Sequence, residues 1–102
     1  MWLLSVNQSP KPEKKLKATF CKCEKKNECK GSNHKTVHFG SKGSSTFIDH
    51  KDQKKKDAYL ARHKVNENWN DPTSAGALSR WLLWNKESLS ASISDFKKRF
   101  KL

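Results

Sequence analysis

Apolar and polar positions along this chain switch from one period to another near its middle. From Lys14 to Phe20, Leu16, Ala18 and Phe20 alternate with Lys15, Lys17 and Thr19. That period of two predicts a half-buried strand with a cationic outer face. Lys35-Thr-Val-His-Phe-Gly40 reads as a second strand. The polar connection from Cys21 to His34 is far longer than the usual hairpin loop of about two to five residues, so the pair predicts an antiparallel hairpin over 14–40 with an elaborated loop.

Beyond Gly40 the period changes. Gly40 to Thr46 is a glycine- and serine-rich connector, and Phe47-Ile48 anchors the next segment. Asp52 is placed to cap a helix through about Lys64. After a turn-rich link carrying Trp69, Asp71-Pro72 reads as a helix start, a capping residue followed by proline at the first helical position. This helix runs to about Trp84, with Ala77, Leu78, Trp81 and Leu82 on one face. Ser88 or Ser90 caps a last helix whose Leu89, Ile93, Phe96 and Phe100 share a face. The pattern predicts an α+β fold: a small N-terminal antiparallel β-hairpin followed by about three α-helices. Residues 1–13 are expected to be an arm, because Pro10 and Pro12 forbid regular structure nearby. Residues 14–102 form a single small domain, with the helical part over 41–102. The arm's apolar tip, Trp2, Leu3 and Leu4, is a candidate docking segment for a partner.

Composition limits the size of the core. Of 102 residues 33% are apolar, about 37% with glycine counted, against roughly 45–50% in an average globular chain. Ten per cent aromatic residues, four of them Trp, are too many for a wholly disordered tail. No apolar run approaches the roughly 18–20 residues of a membrane span. Trp2 to Val6 is too short for a signal-peptide core.

Charge adds an expectation about partners. The net formal charge is +12, and it is unevenly placed. Residues 11–56 carry fourteen basic and five acidic side chains, a net of +9, against eight and five, a net of +3, in residues 57–102. A face rich in Lys15, Lys17, Lys25, Lys26, Lys54, Lys55, Lys56 and Arg62 points to an anionic partner. Lysines in the first turn of a helix oppose its dipole, which a folding argument alone does not explain. Only three residues are arginine, so phosphate neutralisation is favoured over reading of base edges.

Two further constellations bear on chemistry. Cys21-x-Cys23, Cys29 and His34 supply three thiols and an imidazole, the donor set of one structural zinc. A disulfide of Cys29 with Cys21 or Cys23 is the alternative for the same residues. No P-loop, Gly-x-Ser-x-Gly or His-Glu-x-x-His pattern is present. His38, His50 and His63 stand outside any motif with a reaction attached, and the expectation is a non-enzymatic protein without a small-molecule substrate.

Several blocks, in order, carry a resemblance: Lys35-Thr-Val-His-Phe-Gly40, His50-Lys-Asp52, Tyr59-Leu-Ala-Arg-His63, Thr73-Ser-Ala-Gly-Ala-Leu-Ser-Arg-Trp-Leu-Leu-Trp-Asn-Lys86 and Ser88 through Phe100. Together they resemble a family of short basic proteins encoded by nucleocytoplasmic large DNA viruses. The resemblance spans about residues 14–102. It departs in the Cys-rich loop over 21–34, and at Glu87, where proline is expected. It carries no biochemical activity. It implies a virion component, capsid-associated, whose partners are the capsid proteins of a large DNA virus. The basic face leaves a second expectation open, a nonspecific nucleic-acid-binding or packaging protein.

Overall fold

In the computed structural model, residues 1–25, 33–43, 45–65 and 67–102 are described. Among them three strands form an antiparallel sheet in the order β1 (Trp2–Gln8), β2 (Lys14–Cys21) and β3 (His34–Ser41). The alternation in β2 sets which face is buried. Leu16 pairs with Phe39 and Ala18 with Val37, and all four turn to the helices. From the other side Leu3 pairs with Phe20 and Val6 with Ala18. The register shifts between Leu3 and Ser5. That irregularity takes up Leu4 and lets Leu3 and Val6 both reach the core side.

The fold is α+β with its strands N-terminal, and the expected β2–β3 pairing is present. Residues 1–13 are not a free arm. Residues 2–8 are an edge strand, and Leu3 is 2% exposed. Pro10 and Pro12 lie in the link between β1 and β2, where no ladder N–H is required of them. They end the strand and leave the residues before it free to pair. Ser9 closes this link. Its hydroxyl accepts from the Lys11 amide and lies 2.7 Å from Nδ1 of His38.

After the sheet, the described residues form four helices: α1 (Phe47–His50), α2 (Gln53–His63), α3 (Ala75–Leu78) and α4 (Leu89–Phe100). Thr46 and Asp49 cap α1 reciprocally: the Asp49 carboxylate accepts from the Thr46 amide at 2.8 Å. Asp52 caps α2 as expected, accepting from the amides of Lys54 and Lys55. Ser88 caps α4 through the Ala91 amide. The third helix starts later than Asp71-Pro72 predicts. The Asp71 carboxylate accepts from the amide and hydroxyl of Thr73, a local turn that competes with helix entry, and Ser74 becomes the cap. After Leu78 the helix widens into a π-helical turn, Ser79–Leu83, closed by the Trp84 amide on the Ser79 carbonyl at 3.1 Å. The wider turn puts Leu78, Leu82 and Leu83 all in the core. Gly40, at φ +77°, is the next-to-last residue of β3 and lies beneath this turn. A Cβ there would stand 2.9 Å from Cδ1 of Leu83.

The core joins Leu3, Ala18, Phe20 and Phe39 of the sheet to Leu78, Leu82, Leu83 and Phe96 of the helices. Leu89, Ile93 and Phe100 pack on it from α4, so the apolar stripe of α4 faces the sheet as its spacing predicts. Among the described residues no helix is long and apolar enough to cross a membrane.

Truncating Leu3 should cost about 3 kcal/mol, as for a buried leucine. The same change in a free arm would cost under about 0.5 kcal/mol. Urea unfolding of Leu3→Ala, followed by tryptophan fluorescence, separates the two.

Acid should destabilise the fold through identified carboxylates. Amide donation from Thr46 holds the Asp49 carboxyl below its ordinary value, and donation from Asn85 does the same for Asp95. A carboxylate lowered on folding adds stability that is present above its unfolded value of about 4 and lost as pH falls through the folded value. Stability should therefore decline below about pH 4. Asp95→Asn should shallow that decline in a pH series of urea midpoints.

Candidate anion-binding face

The lysines predicted to meet an anion have different fates, which follow from where each strand or helix turns them. Lys17 lies on the sheet face away from the core, between Asn7 and His38 of the neighbouring strands. Lys15 reaches Asp49 at 3.5 Å. Lys25 is exposed, and Lys26 lies outside the described residues. Along α2, one residue of helix is a rotation of about 100°. Lys54 and Lys55 point to solvent, and Lys56 turns inward. Its ammonium donates to the Asn85 carbonyl at 2.7 Å and sits 4.8 Å from the Phe47 ring centre. Burial, then the nearby Arg80 and Lys86, lowers its pKa. Lys56 is therefore a strut between α2 and the turn before α4, and not a surface cation. Arg62, seven residues after Lys55, is exposed on the same side as Lys55.

Beside that stripe, aromatic rings from three elements pack in series. His63 stacks on Tyr59 at 4.1 Å, and Tyr59 stacks on Trp84 at 4.2 Å with planes 5° apart. His50 then leans on Trp84 at 5.4 Å. Burial pushes the Tyr59 hydroxyl up to about 12. Two clefts flank the stack. The larger, about 510 Å³, lies between the end of the sheet, α2 and the π turn. Lys14, Arg62 and the His63–Glu67 pair, 3.1 Å apart, line it. The smaller, about 240 Å³, is walled by Ser45, His50, Lys55, Ala58, Arg62 and Trp84. Ser45, Arg62 and Trp84 line both, so the two clefts adjoin.

His50 is fixed in its tautomer. Its Nδ1 accepts from the Asp52 amide at 3.0 Å, and a backbone N–H only donates. The proton of the neutral ring is therefore on Nε2. That atom is buried and has no hydrogen-bond partner among the described residues. An unmatched buried donor costs about 1–3 kcal/mol. Nothing in the sequence marks His50, Ser45 or Trp84 as neighbours of Lys55 and Arg62, because the fold brings them together from distant parts of the chain.

The residues predicted for metal and docking sites fall elsewhere. Cys21 is disulfide-bonded, and the Cys23 amide donates to its Sγ at 3.5 Å. Cys29 lies outside the described residues, and His34 pairs with Cys21 across the sheet. A disulfide sulfur is not a thiolate, so in this state Cys21 is withdrawn from a zinc set. Among the described residues no group of three His, Cys, Asp or Glu side chains is placed to hold a metal. Of the docking segment, Leu3 belongs to the core, and Trp2 donates from its indole to the Glu24 carbonyl at 3.1 Å. Leu4 is half-buried.

Trp81 does not face the clefts. The guanidinium carbons of Arg80 and Arg99 lie 4.2 and 4.1 Å from its ring centre. Its indole donates to the Trp69 carbonyl at 2.9 Å.

Residues 4–63 match a family of unknown function, DUF5754. The chain belongs to that family. The DUF5754 match takes in β2, β3, α1 and α2, and with them His50, Lys55 and Arg62, and it ends before Trp84. No curated protein and no solved structure matches the chain.

Lys56→Ala should cost about 1–2 kcal/mol, the worth of a charge-assisted hydrogen bond with some cation–π contact. Lys54→Ala should stay within about 0.5 kcal/mol of wild type. Equal midpoints in thermal unfolding of the two variants would refute the inward role of Lys56.

Proposed function

We propose that this protein is a non-enzymatic structural component of a large DNA virus particle, capsid-associated, that holds an anionic partner on its lysine-rich side. The viral setting rests on the ordered sequence blocks. The anionic partner is supported by one structural observation: Lys54, Lys55 and Arg62 of α2 point to solvent without a carboxylate partner among the described residues. Isolated, solvated cations are common on surfaces. Lys54 and Lys55 occupy the first turn of a capped helix, where the dipole disfavours them, and Lys55 and Arg62 adjoin an aromatic-lined cleft.

That cleft favours nucleic acid as the anion. Phosphates need cations at intervals along a track, and α2 with the sheet end supplies Lys14, Arg62 and Lys55 across the two adjoining clefts. Such contacts release counterions, so affinity falls with salt at a log–log slope of about −0.9 per phosphate met. Fluorescence anisotropy with a labelled duplex of mixed sequence should give a slope of about −3, for three contacts, and little change with sequence. Absence of binding at about 50 mM salt would leave an acidic protein surface as the partner. Mass spectrometry of purified particles tests the virion assignment: the protein should be present in reproducible amount, and its absence would end that reading.

A further inference from the structure

We propose that the smaller cleft, between His50, Lys55, Arg62 and Trp84, is a seat for a single tetrahedral oxyanion of the phosphate class. The inference rests on the nucleic-acid reading for the carrier of that phosphate, a backbone phosphodiester. The polar lining is Ser45, His50, Lys55 and Arg62, and the remaining walls are Ala58 and Trp84. No carboxylate is among them. Lys55 and Arg62 only donate. His50 is held as an Nε2–H donor by the Asp52 amide on its other nitrogen. Ser45 has a hydroxyl that donates equally well. Four polar walls thus offer donors and two offer positive charge, which is the complement of a phosphate oxygen set.

The unmatched Nε2–H is a second observation, independent of the charge. The donor is screened from the cleft as the ring now stands, and a turn of the His50 ring would bring it to the acceptor oxygens of an occupant. The acids close by in the chain already have partners, and Asp57, beside Ala58, accepts from the Gln53 side chain. Asp52 accepts from the amides of Lys54 and Lys55. Asp49 accepts from Thr46 and pairs with Lys15. Glu67 lines only the larger cleft, where it meets His63 and the Trp69 indole. The volume, about 240 Å³, admits one phosphate group with water and is too small for a nucleotide with its base. The rest of a polymer would run out along the larger cleft.

The test is nuclear magnetic resonance of the full chain with labelled histidine side chains, first with inorganic phosphate and then with a short single-stranded oligonucleotide. Phosphate should shift the His50 Nε2 signal and the Trp84 indole signal saturably, leaving His38 unmoved. Arg62→Gln and Lys55→Gln should each weaken phosphate binding by about tenfold, as for the loss of one charge-assisted hydrogen bond. Lys98→Gln, an exposed cation of α4 outside both clefts, should leave it unchanged. If both probes shift His50, the seat and its carrier stand. If phosphate shifts it and the oligonucleotide does not bind, the seat stands and the nucleic-acid reading falls. If the oligonucleotide binds without moving His50, the seat is refuted and the reading survives. If neither probe moves His50, the seat is refuted.

Discussion

A three-stranded sheet has two faces, and this chain has apolar side chains for one. That shortage organises the rest. Leu3, Val6, Leu16, Ala18, Phe20, Val37 and Phe39 all turn to the same side, and the helices bring Leu78, Leu82, Leu83 and Phe96 to meet them. The opposite face carries Lys17, Thr19, Thr36 and His38, with Cys21 buried between Trp2 and His34 at its end. A one-residue slip of any strand would move its apolar set into water, so the register is determined by the core and the polar face is a consequence of it. The edge strand β1 is part of this arithmetic. Without Leu3 the sheet would present Phe20 uncovered on one side.

The helices solve a second problem, how to bury three leucines from a short segment. An α-helix places residues four apart on one side, so Leu78 and Leu82 fall together and Leu83 is rotated away. The π turn adds a residue per turn and carries Leu83 back to the core. It also sets the azimuth of Trp84, which then meets Tyr59 of α2 face to face. The aromatic stack that walls both clefts is thus a by-product of closing the core. Lys56 completes the junction by reaching Asn85.

The parts of the fold legible in sequence are those where one local rule acts unopposed. Alternation in β2, the Asp52 and Ser88 caps and the α4 stripe each follow from spacing and hydrogen-bonding capacity alone. Where two rules compete, sequence is a poor guide. Pro10 and Pro12 bar structure only where their own missing N–H is needed, and β1 ends just before that point. Asp71 is a good cap, and it satisfies itself on Thr73. The π turn leaves no signature in a period of 3.6. The candidate site divides the same way. Lys55 and Arg62 are readable as one stripe of α2. Their distinction from Lys56 depends on which side of the helix faces Asn85, and their company with His50 depends on tertiary packing.

The two unmatched buried donors separate structural strain from a binding surface. Arg80 Nε and His50 Nε2 both lack partners among the described residues. Arg80 is otherwise engaged: its Nη1 donates to the Trp84 carbonyl at 3.0 Å, and its guanidinium lies against Trp81 and Trp69. Cation–π contact offsets part of its lost hydration, and Arg80 lines neither cleft. His50 is held at Nδ1 by the Asp52 amide and leans on Trp84, and unlike Arg80 it stands in the wall of a cleft. One acceptor at Ala58, on the helix face opposite it, would be positioned to quiet that donor and neutralise Lys55 and Arg62 together. The chain instead keeps alanine there, with two cations flanking it. Two cations stand in one cleft whose walls hold no carboxylate, a single sign that random surface placement does not require and an anionic occupant does.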